Sequence, residues 1–296
     1  SEYYHDAGLA IVNKDGTVEF ASQAERYSGR KYDALIPPEM WKFVNEDDHV
    51  TFYEDIDLRR EQMGGFRTFG DWSENGFRNE RIEQRTPMRN SLMFDDFNQH
   101  HESHCALAFF TRPWESKEDT VMVSVDGSGE LESLTIKDHN FNSIKTIEWP
   151  QSLGCMYGHA THLLGMKQLR DEYIVMGLSA YGEVDENLYK LLHNAYYWHE
   201  SEHAKHIRQI VKFEGTSVAE SRLSEKYAQY QDRIADEVLR HTPEDASATV
   251  QKFFEVEIMK IMKEARKYGS KLVYSGGCAQ NVVANSLIRP LFHEMH

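Results

Sequence analysis

Cysteine is scarce in this sequence: three in 296 residues, at positions 105, 155 and 278, with no CxxC pair among them. That usage excludes a disulfide framework and fits a reducing compartment, with buried or local roles for the thiols. Basic residues are in deficit, 33 against 48 acidic ones, for a formal net charge of -15. A surface of that sign repels phosphate backbones. The basic residues at 26–31, 77–89 and 260–267 are interleaved with acids or spread along helical stretches, so no nucleic-acid partner is expected. No apolar run approaches the length that spans a bilayer and no signal peptide is visible, so a cytoplasmic protein without a membrane partner is expected. Repeats at solenoid periods are lacking, as are a Walker A loop and a GxGxxG fingerprint, which argues against the folds those motifs define.

What is present is ample hydrophobic material, 40% of the chain, enough for one large domain or two lobes. The first clear element is a hairpin, GLAIVNKDGTVEFASQ, in which two β-rich runs flank the turn Asn13-Lys14-Asp15-Gly16. Residues 55–90 are charged, Gly- and Arg-rich and poorly periodic, and read as a long insertion within 45–95. His100–Phe110 reads as a helix. The near-continuous apolar run VMVSV (121–125) reads as a buried strand entering a tight turn, with ELESLTIKD and SIKTIEW as further strands. A helix is expected over 152–166. Another starts at Thr242-Pro243-Glu244-Asp245, where Thr caps, Pro suits the first turn and two acids face the positive end of the dipole. Val250, Phe253, Phe254, Ile258, Ile261, Met262 and Ala265 keep helical spacing to an expected stop at Gly269, followed by a strand, Lys271–Tyr274, and the turn Ser275-Gly276-Gly277. The chain is therefore α/β, of two lobes. Neither end has the polar character of a natural tail, so an incomplete segment at both ends is the expectation.

Five constellations bear chemistry. In Gln99-His100-His101-Glu102-Ser103-His104, a helix puts His100 and His104 on one face, four residues apart, so that both imidazoles can reach one cation; His101 with His104 is a second pairing. A solvated polar helix start is the plainer alternative. Asp126-Gly127-Ser128-Gly129-Glu130 follows the buried strand, as either a phosphate-approaching loop or an ordinary β-turn. Ser275-Gly276-Gly277-Cys278-Ala279-Gln280-Asn281 offers close backbone approach between strand and helix, or simply a tight turn. Asp171–Gly182 mixes an acidic pair, an apolar core and glycine punctuation, and its periodicity decides nothing. His5-Asp6 is a base with an orienting carboxylate, or an unremarkable pair.

Together these stretches resemble the O-carbamoyltransferases of the NodU/CmcH family. The matching segments are YHDAGLAIV with AERYSGRKYD, HHESHCALAFF, VSVDGSGE, PQSLGCMYGHATHLLG, EYIVMGLSAYGE and SGGCAQNVVAN, in family order across the chain apart from 40–95 and 185–240. The resemblance implies an actin/sugar-kinase/Hsp70-like (ribonuclease H-like) fold of two lobes, 1–118 and 119–296, the second incomplete at its C-terminus. It implies that His100, His104 and Asp126 hold a metal, iron or another divalent transition ion. It further implies that Asp126, Gly127, Ser128, Gly129, Gly276, Gly277 and Asn281 embrace the nucleotide of ATP or carbamoyl-adenylate, with Glu172 and Gly177 in the segment closing over it. In such enzymes a second domain, expected to be missing here, makes carbamoyl-adenylate from carbamoyl phosphate and ATP. The metal domain passes the carbamoyl group to a hydroxyl of a small, sugar-like acceptor, which His5 or Asp6 would position or deprotonate.

Departures from the family pattern are Ile174, where a Lys is usual, and the lack of a first strand before YHD and of a downstream Asp-containing Gly-rich motif. An open lobe would expose apolar surface, so self-association is a further expectation. The competing readings are a tRNA threonylcarbamoyl-transfer protein, which the acidic balance opposes, an actin-fold sugar kinase, which leaves the paired histidines unexplained, and a degenerate nucleotide-binding module.

Overall fold

The computed structural model describes residues 6–33, 36–45, 47–53, 96–149, 151–198 and 232–296. His5 and most of the 45–95 stretch lie outside them. The chain divides into two compact units, residues 1–100 and 101–296.

In the first unit, β1 (Gly8–Val12) and β2 (Val18–Gln23) pair antiparallel, with an irregularity between Ile11 and Val12. The expected turn closes them. Gly16 adopts φ 85°, and the Asn13 N–H donates to the Thr17 carbonyl at 2.8 Å. Two one-turn helices, α1 (Glu25–Ser28) and α2 (Pro38–Trp41), follow; Met40 and Trp41 join Ala7, Ala24 and Ile36 in a small core. β3 (Thr51–Phe52) and β4 (Asp96–Phe97) form a short parallel pair.

The second unit is built on a five-stranded mixed sheet. The expected helix α3 (His100–Phe110) opens it, starting at the division itself. β5 (Thr120–Val125), β6 (Glu132–Asp138) and β7 (Ser143–Glu148) form an antiparallel meander, and β8 (Lys271–Ser275) and β9 (Glu294–Met295) continue it in parallel on the other side of β5. The order is β7-β6-β5-β8-β9. Every residue of β5 is buried, as a strand covered on both faces must be. Its alternation assigns the layers: Met122 packs with Val273 against Cys105, Ala108 and Phe109 of α3. Val121, Val123 and Val125 face the larger core.

That core is supplied by α4 (Leu153–Leu163), α5 (Glu172–Leu178), α6 (Glu186–Trp198), α7 (232–238), α8 (Pro243–Ala265) and α9 (Val282–Ile288). α8 begins as the sequence indicates, with Thr242 Oγ1 accepting from the Asp245 N–H at 3.1 Å, and all seven expected apolar residues are buried in the core. Among the described residues, no helix is long and apolar enough to cross a membrane.

One expected boundary moves. α8 ends at Ala265, and Gly269 serves a different purpose: a Cβ there would lie 2.7 Å from the Asp119 carbonyl oxygen. Asp119, at φ 62°, leads into β5 while its carboxylate accepts from the Ser270 N–H at 2.9 Å and from the Ser270 hydroxyl. It staples the starts of the two central parallel strands together. The Ser270 hydrogen bonds hold the Asp119 carboxyl below the ordinary range. A depressed folded-state pKa stabilises above the unfolded value, about 3.9, and that contribution is lost as pH falls through the folded one. The melting-temperature gap between the wild type and Asp119→Asn should therefore be level near neutrality and narrow below about pH 4. A gap that stays constant into acid would show that the charge contributes nothing.

Candidate functional site

The carboxyl ends of β5 and β8 lie side by side, and the sequence places acid on one and glycine on the other. Alternation along β5 puts Met122, Ser124 and then Asp126 on the side that α3 covers. On α3, His101, Cys105, Ala108 and Phe109 are buried. His100 and His104 stay half-exposed, one turn apart. His104 Nε2 lies 3.0 Å from Asp126 Oδ2. His100, His104 and Asp126 each offer one ligand atom, all within 4.8 Å of one another. Two imidazoles and a carboxylate are a donor set that fits a divalent transition ion. His101, the alternative partner in the sequence, turns inward, and its Nε2 sits 3.0 Å from the Glu132 carbonyl.

Three further segments close on Asp126. Its other oxygen, Oδ1, accepts from the Gly127 N–H at 2.7 Å. Gly277 lies so near that a Cβ there would sit 2.9 Å from Oδ1. A Cβ on Gly276, which has φ 88°, would sit 2.3 Å from the Val125 carbonyl. Position 276 requires glycine by both φ and backbone contact, whereas a Cβ at 277 would push on the Asp126 carboxylate. On the opposite side Gly154 abuts the Asp126-Gly127 backbone, where a Cβ would meet Gly127 N at 2.7 Å. Ser152, the N-cap of α4, accepts from the Cys155 N–H at 3.0 Å and donates to the Gly127 carbonyl at 2.6 Å. The Asp126 N–H donates to the Ser133 carbonyl at 3.0 Å and the Gly129 N–H to the Glu132 carbonyl at 2.6 Å, so the connection from β5 into β6 is closed by its own bonds, with Ser128 partly exposed and Glu130 buried. The sequence reading missed Ser152 and Gly154; a Ser directly before an apolar helix was the available signal for the former.

The remaining expected residues are distributed unevenly. Glu172 opens α5 and accepts from the Leu169 N–H at 2.6 Å. Gly177, later in α5, is exposed, and a Cβ there would meet nothing within 4 Å. Desolvation pushes the Cys278 thiol well up, with Asp126, Cys155 and Glu172 adding to the effect, which puts Glu172 in the same electrostatic neighbourhood. Burial likewise raises Tyr274, with the charges of Cys278 and Asp126 adding to the effect. Asp6 belongs to the first unit, with φ 53°.

Asn281 is buried and engaged in structure. Its Oδ1 caps α9 through the Ala284 N–H at 3.0 Å and accepts from Gln251 Nε2 at 3.1 Å, while its Nδ2 donates to Gln251 Oε1 at 2.9 Å. Tyr157 Oη donates to that same Gln251 oxygen at 2.9 Å. Gln251 was not anticipated, because a polar residue inside an amphipathic helix carries no sign of a buried partner.

The chain matches the family described as carbamoyltransferase N-terminus over residues 77–295 and belongs to that family. It is 30% identical over 215 residues to the uncharacterized protein sll1178 of Synechocystis sp., covering 62% of this chain and 34% of that protein. The uncharacterized protein MJ1051 of Methanocaldococcus jannaschii is 26% identical over 295 residues, 96% of this chain and 51% of its own length. MJ1058 of the same organism is 26% identical over 221 residues, 67% of this chain and 34% of its own. The chain thus spans between about a third and a half of the length of these curated relatives.

Replacing Asn281 with Ala removes a cap and leaves the Gln251 amide short of partners, which should cost about 2–4 kcal/mol. Chemical denaturation measures this. A cost within about 0.5 kcal/mol would mean that the amide pair is not structural.

Proposed function

We propose that this chain is the metal- and nucleotide-binding part of an O-carbamoyltransferase of the NodU/CmcH kind, moving a carbamoyl group from carbamoyl-adenylate to a hydroxyl of a small, sugar-like acceptor in the cytoplasm. The observation that carries the reading is the approach of His104 Nε2 to Asp126 Oδ2 at 3.0 Å, at the strand ends of a chain in the carbamoyltransferase family. In open α/β sheets ligands gather outside the carboxyl ends of parallel strands, where neighbouring connections leave in opposite directions. β5 and β8 form such a pair, since β5 continues into β6 on one side and β8 into β9 on the other. A meander extended by parallel strands, with helices on both faces, also supports the actin/sugar-kinase/Hsp70 (ribonuclease H-like) reading of this unit.

His100, His104 and Asp126 would hold the ion, for which iron is the first choice. When bound, it supplies Lewis acidity toward a carbamoyl oxygen. Asp126 is oriented by His104 and the Gly127 N–H, and a cation bound there would replace the proton shared by His104 Nε2 and Asp126 Oδ2. Gly276 and Gly277 bring the β8 exit loop directly against Val125 and Asp126, so a phosphate held by that loop would lie beside the ion. The Gly127 N–H is used by Asp126 Oδ1 and the Gly129 N–H by the Glu132 carbonyl, which favours phosphate contact on the Gly276–Gly277 side. Glu172 and Gly177 would border the nucleotide from α5, and His5 with Asp6 would position the acceptor hydroxyl.

The test supplies radiolabelled carbamoyl-adenylate and ferrous ion directly to the purified chain with a panel of sugar acceptors, and follows AMP release and label transfer. Transfer is expected, and His104→Ala or Asp126→Asn should lower it about 100-fold or more with the fold retained. No transfer to any acceptor, or transfer indifferent to both substitutions, would refute the reading. Turnover of threonylcarbamoyl-adenylate in its place would assign the chain to the tRNA-modifying branch.

A further inference from the structure

A second group of ligand-type side chains lies away from the strand ends. Asp185 precedes α6, Glu237 sits in the last turn of α7, and His241 occupies the turn between α7 and the Thr242 cap of α8. Each offers one ligand atom, and the three atoms lie within 4.8 Å of one another. His241 Nε2 is 3.6 Å from Asp185 Oδ1 and 3.6 Å from Glu237 Oε1. These distances are beyond a hydrogen bond. They suit donors arranged around an ion, because ligands at about 2.1 Å from a tetrahedral centre stand about 3.4 Å from each other. His241 Nε2 is also shielded from solvent and has no hydrogen-bond partner among the described residues. A buried imidazole nitrogen facing two carboxylate oxygens is an arrangement that a shared cation would satisfy.

The three groups are held in place by contacts of their own. Asp185 caps α6, its Oδ1 accepting from the N–H groups of Asn187 at 2.9 Å and Leu188 at 2.8 Å, while its own N–H donates to Thr249 Oγ1 at 2.9 Å. Arg240 donates to Glu237 Oε2 at 2.9 Å, which leaves Oε1 turned toward His241. A third carboxylate, Asp245, is held below its ordinary pKa by the Glu183 N–H and Thr242, and also feels His241. The surroundings are therefore negative and preorganised.

We infer that Asp185, Glu237 and His241 form a second, structural site for a divalent transition cation, with zinc the best match. One imidazole and two carboxylates suit zinc or manganese, whereas calcium and magnesium favour all-oxygen shells. The ion ties the loop ahead of α6 to the entrance of α8. These segments already meet backbone to backbone at Gly182, where a Cβ would lie 2.0 Å from the Glu244 carbonyl oxygen. This inference is independent of the carbamoyl-transfer reading.

Zinc titration of the metal-stripped chain, read by calorimetry and by melting temperature, tests it. A His104→Ala background removes the strand-end group. In that background zinc should still bind at one equivalent and raise the melting temperature, and His241→Ala should weaken binding at least about tenfold. Glu237→Gln should do the same, and decides the matter if His241→Ala does not fold. Magnesium and calcium should give no comparable shift. Zinc binding that is absent in the His104→Ala background, unchanged by Glu237→Gln, or matched by calcium would overturn the site. So would a stability that depends on pH through His241 but not on zinc, which would make the group an imidazolium held between two acids.

Discussion

The approach of His104 to Asp126 organises the carboxyl ends of the second unit's central strands, and the surrounding structure exists in a form that allows it. A carboxylate at the end of a fully buried strand must find partners for both oxygens. Asp126 finds His104 on α3 for one and the Gly127 N–H for the other. That arrangement requires the β8 exit loop and the first turn of α4 to approach within backbone contact. Gly276, Gly277 and Gly154 supply the space, each at a position where a single Cβ would intrude on Val125, Asp126 or Gly127. Ser152 then ties α4 to the same turn through the Gly127 carbonyl. Three segments distant in sequence thus converge on one acid, with α3 on one face of the sheet and α4 on the other.

Much of this arrangement was legible in the sequence, for physical reasons specific to each element. β5 announced itself as a run of apolar residues because it is covered on both faces, and α3 and the cap of α8 followed from spacing and capping chemistry. The histidine pair was visible because helical geometry alone brings His100 and His104 together. What spacing could not decide was which neighbour joins them; the structure sends His101 into the core toward the Glu132 carbonyl. Gly269 read as a helix stop, but it is needed for the passage of Asp119, a contact between residues 150 positions apart. Asn281 and Gln251 became partners only through tertiary packing. The Asp185, Glu237 and His241 group was illegible for the same reason, since it is assembled from three helix ends with no motif in common.

Membership in the carbamoyltransferase N-terminus family gives the strand-end group its chemical context, while the second group needs no such context. The two would divide the work. One lies at the carboxyl ends of β5 and β8, beside Gly276 and Gly277. The other lies between helix ends, where a cation would secure the loop that follows the Glu172–Gly182 segment.

The central claim is that His100 and His104 are metal ligands beside Asp126. X-ray absorption at the metal edge, recorded on loaded His241→Ala protein so that the strand-end group is seen alone, tests it directly. The account predicts a shell of nitrogen and oxygen with the scattering of two imidazoles at about 2.0–2.1 Å, falling to one in the His104→Ala, His241→Ala double variant. A shell of oxygen alone, or two imidazoles that persist without His104, would contradict it.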